Sequence, residues 1–155
     1  MSVASGFAFL GFHYFRDPKT GILCKEVRPQ SVQRFRDAIR ERTQRLRTQR
    51  RVKAHHMTYS RLARNQRVKE MIRQVNDYLR GWHWYFQSAR SRFTPPFNSF
   101  DGFLRRRIRL AITGRVGNGW WNQVLTNLLL RQLGLRDLET LDKQYRAGQR
   151  TTPAR

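Results

Sequence analysis

The sequence predicts a mainly α fold, an N-terminal β-hairpin followed by a bundle of about four helices. Three observations predict it. Turn residues near the amino terminus separate two short aromatic and aliphatic runs. Apolar side chains then recur at three- and four-residue intervals over most of the chain. Hydrophobic residues make up 39% of 155 residues, enough for one modest core.

The hairpin comes first. Residues 7–28 read FAFLGFHYFRDPKTGILCKEVR, with Asp-Pro-Lys-Thr-Gly between the two runs. Pro18 presets φ for a turn and Gly21 tolerates positive φ, so this segment predicts two half-buried strands joined by a five-residue loop. Pro29 ends the second strand, and Ser31 is the candidate N-cap of the first helix.

From Val32 to about Arg47, Val32, Phe35, Ile39 and Leu46 fall on one helical stripe flanked by arginines. Residues 48–58 lose that period and predict a basic connector. His55 and His56 lie there; adjacent side chains diverge and no carboxylate or Cys is near in sequence, so they are expected to be loop histidines and not metal ligands. A long helix is predicted from Tyr59 to Gln87, where Val68, Met71, Ile72, Val75, Tyr78, Leu79, Trp82, Tyr85 and Phe86 make one wide apolar face. Gly81 sits inside that helix at a cost of roughly 1 kcal/mol relative to alanine, which suggests close approach of a ring or backbone. His83 and Trp84 fall on other faces, where core packing and base stacking are both open to Trp84.

After Pro95 and Pro96 a helix is predicted from about Asn98, with the stripe Phe100, Leu104, Ile108, Ala111 and Ile112. Asp101 is expected to serve the positive end of that helix. A last helix is expected from Trp120 to Leu133 with Trp121, Val124, Leu125, Leu128 and Leu129 inward, and Gly134 as its C-cap. A short amphipathic turn around Leu135, Leu138 and Leu141 follows. The expected divisions are a hairpin over 1–28, helices over 29–114, a C-terminal helical extension over 115–145 and a frayed tail over 146–155.

Charge narrows the function. Lys and Arg number 32 against 10 Asp and Glu, a formal charge of +22 that repels itself unless a polyanion is near. Of the cations 27 are Arg, the side chain suited to bidentate phosphate contacts and to stacking, although a GC-rich genome produces the same bias. The candidate nucleic-acid contacts on the first helix and connector are Arg34, Arg36, Arg40, Arg45, Arg47, Arg50, Arg51 and Lys53. Arg80 and Trp84 join them from the long helix, and a second cluster comprises Arg105, Arg106, Arg107 and Arg109. The scattered carboxylates suggest no acid-base or metal pair, so no catalytic residue, metal or cofactor is expected. A single Cys, Cys24, excludes an intramolecular disulfide, and no apolar run reaches the ~18 residues of a membrane span. A cytoplasmic protein without a membrane partner is expected.

Three segments carry a family resemblance. FAFLGFHYF at the start, LRGWHWYF in the middle and FDGFLRRRIR at Phe100 to Arg109 resemble, in order and spacing, the signatures of the group II intron maturase-specific domain, domain X, the thumb of group II intron reverse transcriptases. The resemblance covers residues 7–114, and GRVGNGWWNQVL looks like a downstream extension of some members. It implies a thumb-like helical bundle. It also implies a domain that binds group II intron RNA, assists its folding and splicing, and holds a template-primer duplex during complementary DNA synthesis. The chain has no Tyr-x-Asp-Asp motif, so it is not expected to polymerise by itself. Two other readings stay open: a non-functional or partner-dependent fragment of an RNA-directed DNA polymerase, and a general basic DNA-binding protein. Apolar residues at Phe7, Phe9, Phe12 and Tyr14 predict self-association or docking onto a reverse transcriptase palm/fingers subunit.

Overall fold

A computed structural model of the protein describes residues 6–44, 58–87, 97–114 and 123–150. Three strands lead the chain: β1 (Phe7–Phe9), β2 (Phe12–Arg16) and β3 (Leu23–Val27). Six helices follow among the described residues: α1 (Pro29–Gln44), α2 (Tyr59–Arg64), α3 (Gln66–Phe86), α4 (Phe97–Thr113), α5 (Asn127–Gln132) and α6 (Leu138–Arg150). The fold is mainly α, as the periodicity predicts.

The first aromatic run is not one strand. It folds back at Leu10 and Gly11, whose φ values of 46° and 82° are what a two-residue type I′ turn requires, and β1 pairs antiparallel with β2 from Phe7 opposite Tyr14 to Phe9 opposite Phe12. The expected hairpin is β2 with β3, from Phe12 opposite Val27 to Arg16 opposite Leu23. Its loop is tied by the Asp17 carboxylate, which accepts from the Lys19 N–H and the Thr20 hydroxyl, both at 2.9 Å. The result is a three-stranded sheet in the order β1-β2-β3.

Helix boundaries depart from the apolar periodicity at several points where a polar side chain caps free backbone N–H groups. Helix α1 starts at Pro29, whose missing N–H costs nothing in the first turn, and Ser31 donates instead to the Gly11 carbonyl at 3.1 Å. The long helix expected from Tyr59 breaks at Asn65, whose side chain accepts from the Arg67 and Val68 N–H groups and so caps α3. The expected Trp120–Leu133 helix likewise restarts at Asn127, capped by the Thr126 hydroxyl on the Leu129 N–H at 3.1 Å. That restart leaves Leu128 exposed and buries Leu130. Gly134, at φ +96°, does end α5 as predicted, with the Leu135 N–H returning to the Leu130 carbonyl at 3.0 Å. The stretch expected as a short turn and frayed tail is helical from Leu138 to Arg150.

One continuous core joins the sheet and helices, from Phe12 and Val27 through Phe35, Leu79, Trp82 and Phe100 to Leu130 and Leu138. At its centre Phe35, Trp82 and Phe100, one each from α1, α3 and α4, meet with ring centroids 5.0–5.2 Å apart. Edge-to-face and tilted packing of this kind adds to the area buried. Phe12 carries the sheet onto the bundle against Phe86 at 5.1 Å. Tyr85, expected inside, lies instead half in solvent over Phe12 and donates its hydroxyl to the Leu10 carbonyl at 2.7 Å. Gly81 is exposed with nothing near its missing Cβ, so it does not admit a close neighbour.

Asp101 lies on α4 but serves a different helix from the one expected. Its buried carboxylate accepts from the Leu138 and Glu139 N–H groups at 2.9 and 3.0 Å, so it caps α6. Asp137 completes that terminus by accepting from the Thr140 N–H at 3.1 Å. His83, expected on an outer face, is buried between the rings of Phe97 and Tyr145, with Nε2 3.6 Å from the Asp142 carboxylate of α6. No helix among the described residues is long and apolar enough to cross a membrane.

Candidate nucleic-acid interface

Because α1 packs against both α3 and α4, it offers two seams to solvent. Along the α4 seam, Arg36 and Arg40 lie over the half-buried ring of Phe103, 5.9 and 5.6 Å from its centroid. One turn further along α4, Arg107 extends toward α1 and donates to the Thr43 hydroxyl at 3.5 Å. Two α1 guanidinium groups thus lie over one α4 ring, with the Arg107 guanidinium bridging the same two helices at Thr43, an arrangement that offers charge and a flat face together. Periodicity does not single out Phe103, because it lies off the α4 stripe. No local pattern pairs it with Arg36 and Arg40, which lie more than 60 residues away in sequence.

The predicted cations divide into groups. Arg34, Arg36, Arg40, Arg80 and Arg106 are exposed. Arg40 also pairs with Asp37 at 2.6 Å, and Arg80 lies 3.7 Å from Asp77. Such exposed pairs at helical spacing contribute little and exchange readily with other anions. Arg45, Arg47, Arg50, Arg51 and Lys53, with His55 and His56, fall outside the described residues. Trp84 is 72% exposed on α3, so core packing does not account for it.

Arg105 and Arg109 do not join an outward cationic face. Arg105 donates to the buried Asp137 carboxylate at 3.0 Å, and Arg131 reaches the same oxygen at 3.2 Å. Burial alone would raise the Asp137 pKa, but the Thr140 hydroxyl and N–H, with Arg131, bring it below the ordinary carboxylate value. Arg109 donates to the Leu125 carbonyl and the Asn127 side chain, each at 2.7 Å, tying the segment before α5 to α4. Burial, aided by nearby Arg105, lowers the Arg109 pKa. A run of arginines wraps a helix by about 100° per residue, so its members cannot share one environment.

The acids are correspondingly engaged. Hydrogen bonds from Arg73 and then Gln74 hold Glu70 at a pKa of about 2. Asp77 accepts from Arg73 at 3.2 Å.

A helical bundle led by a small antiparallel sheet, with arginines over its outside, is the setting in which the comparisons fall. The family model described as group II intron, maturase-specific domain matches residues 47–128. The chain belongs to that family, and with it goes a maturase-related role in group II intron splicing. No curated protein and no solved structure matches the chain.

Proposed function

We propose that this domain binds structured group II intron RNA through its exposed guanidinium groups and thereby assists the folding on which splicing depends. The observation that carries the reading is the α1–α4 seam, where Arg36 and Arg40 lie over Phe103 and Arg107 reaches Thr43. Folded RNA presents a deep, narrow major groove, so backbone, 2′-hydroxyl and unstacked-base contacts are the available ones. Arginines on a rigid helical support suit the first two, and Trp84 suits the third at roughly 1–3 kcal/mol per stacked base. In this reading Arg34, Arg80 and Arg106 extend the surface, the cations of residues 45–53 add to it, and Arg105 and Arg109 brace the scaffold. RNA chemistry performs the splicing, the polypeptide performs none, and the work is done in the cytoplasm.

A second observation favours a partner-dependent form of the same role. Phe7, Phe9 and Leu10 are exposed on the edge strand β1 and its turn, as are Ile22 and Leu23 at the far end of the sheet. An edge of this kind suits a reverse transcriptase palm, beside which the helices would hold a template-primer duplex, or a second copy of the chain.

Competition binding tests the proposal. Labelled cognate intron RNA is challenged with unrelated RNA of equal length and with duplex DNA, at a salt level that suppresses nonspecific contacts. Retention of the intron RNA supports the reading. Equal displacement by unrelated RNA, or preference for duplex DNA, contradicts it.

A further inference from the structure

The second seam of α1 differs chemically from the first. Between α1 and α3 lies an open notch of about 570 Å³ lined by Glu41, Arg42, Gln74, Asp77 and Tyr78. Its volume falls within the ~300–1,000 Å³ usual for small-molecule sites. The Arg42 guanidinium lies 4.5 Å from the Tyr78 ring centroid while its Nη1 donates to the Ala38 carbonyl at 3.0 Å. A guanidinium anchored to both a ring and a backbone carbonyl is a fixed flat plate. Beside it stand two exposed carboxylates, in a chain with only 10 acidic residues against 32 basic ones.

Phosphate is a poor occupant, because Glu41 and Asp77 repel it. A bare cation is a poor one too, because Arg42 stands in the lining and Asp77 already faces Arg73 and Arg80. What fits is a neutral, flat group with hydrogen-bond donors on one edge. Among nucleobases, guanine presents two adjacent donors, N1–H and the N2 amine, which match the two oxygens of one carboxylate. Adenine and cytosine offer a single exocyclic amine beside an acceptor. The surroundings suit such a base. Arg80 lies one turn beyond Asp77 on α3, so a cation for a flanking phosphate stands beside an acid-lined recess.

We propose that this notch is a nucleobase subsite that receives an unpaired guanine of the bound RNA, stacked on Arg42 and Tyr78 with its N1–H and N2 amine donated to Glu41. The proposal rests on the RNA-binding reading above and adds to it base selectivity at a stated place.

The probe is a set of RNA hairpins with uridine loops in which one loop position in turn carries guanosine, inosine, adenosine or cytidine. Affinities are measured for the full chain at moderate salt. Guanosine at the responsive position is expected to bind about tenfold tighter than inosine, which lacks only the N2 amine. Glu41→Gln is expected to abolish that preference and leave the all-uridine hairpin and the melting temperature unchanged, since Glu41 is exposed. A guanosine preference that survives in Glu41→Gln, or the absence of any preference at every loop position, overturns the subsite while leaving RNA binding intact. Failure to bind any hairpin overturns the subsite alone when intron RNA is still retained and overturns both readings when intron RNA is lost as well, so the two failures are distinguishable.

Discussion

Arg105 of α4 and Asp137, the residue just before α6, form an ion pair 3.0 Å long with side chains only 16% and 1% exposed. This pair assigns different work to neighbours that look alike in sequence. Arg105 holds the C-terminal helix against the bundle, Arg106 faces solvent, and Arg107 reaches across to Thr43 of α1.

The first prediction separates those roles. Arg105→Gln leaves a buried carboxylate short of a partner and is expected to lower stability by about 3 kcal/mol, with Arg131 offsetting part of the loss. Arg106→Gln is expected to change stability by less than about 0.5 kcal/mol while weakening RNA binding. Thermal melts and binding isotherms on both variants check the contrast. Equal melting temperatures would contradict the structural role of Arg105.

Burial raises the Asp101 pKa to about 6, against the Leu138 and Glu139 N–H bonds that pull it down. A carboxyl whose folded-state value lies above its ordinary 3.8 contributes stability that is complete below pH 4 and lost as pH rises through 6. That contribution amounts to at most ~3 kcal/mol. The lowered pKa of Asp137 acts below that window, with the opposite sign. Asp101→Asn is expected to flatten the pH 4–6 dependence relative to wild type while keeping one of the two N–H bonds, whereas Asp101→Ala is expected to destabilise at every pH. Denaturant melts across pH 4–8 measure the difference, and parallel wild-type and Asn curves would contradict it.

The β1–β2 turn is a steric prediction. Gly11 has φ +82°, and a Cβ there would lie 3.2 Å from the Ser31 hydroxyl and 3.3 Å from the Phe86 ring. Gly11→Ala is expected to cost about 1–3 kcal/mol, through backbone strain and displacement of Phe86. Gly81→Ala, in an exposed helix with open space around it, is expected to stabilise by up to roughly 1 kcal/mol. Urea unfolding of both variants checks the opposite signs.

Asn65 supplies a further contrast. Removing its cap of α3 in Asn65→Ala is expected to cost about 1 kcal/mol, while Asn65→Asp or Ser retains most of it. Circular dichroism melts of the three variants test this.

Much of the helical architecture is legible in the sequence because its apolar periods are long. Phe35, Ile39, Val75, Leu79, Leu104 and Ile108 are all fully buried where the stripes predict. Pattern and structure part where one polar residue or one turn overrides a continuing repeat. Asn65 and Thr126 cap new helices inside apolar repeats, and Leu10-Gly11 reverses a run that reads as a single strand. At the candidate site, composition indicates arginine but not its partners. Arg105 and Asp137 are 32 residues apart, Arg107 and Thr43 are 64 apart, and no local pattern records such contacts. The His83-Trp84-Tyr85 order misleads for a similar reason. Trp84 lies outside, but His83 is drawn inward by α6, an element expected only as a turn and frayed tail.

The most direct test of the account is the salt dependence of intron RNA binding by wild type and by the combined variant Arg36→Gln, Arg40→Gln, Arg106→Gln. A phosphate that no longer meets a guanidinium keeps its condensed counterions, which lowers the salt slope by somewhat less than one. The slope of log affinity against log salt is expected to fall by about 2 to 3 in the variant, with an unchanged melting temperature. An unchanged slope and affinity in a folded variant would contradict the claim that these exposed guanidinium groups hold the RNA.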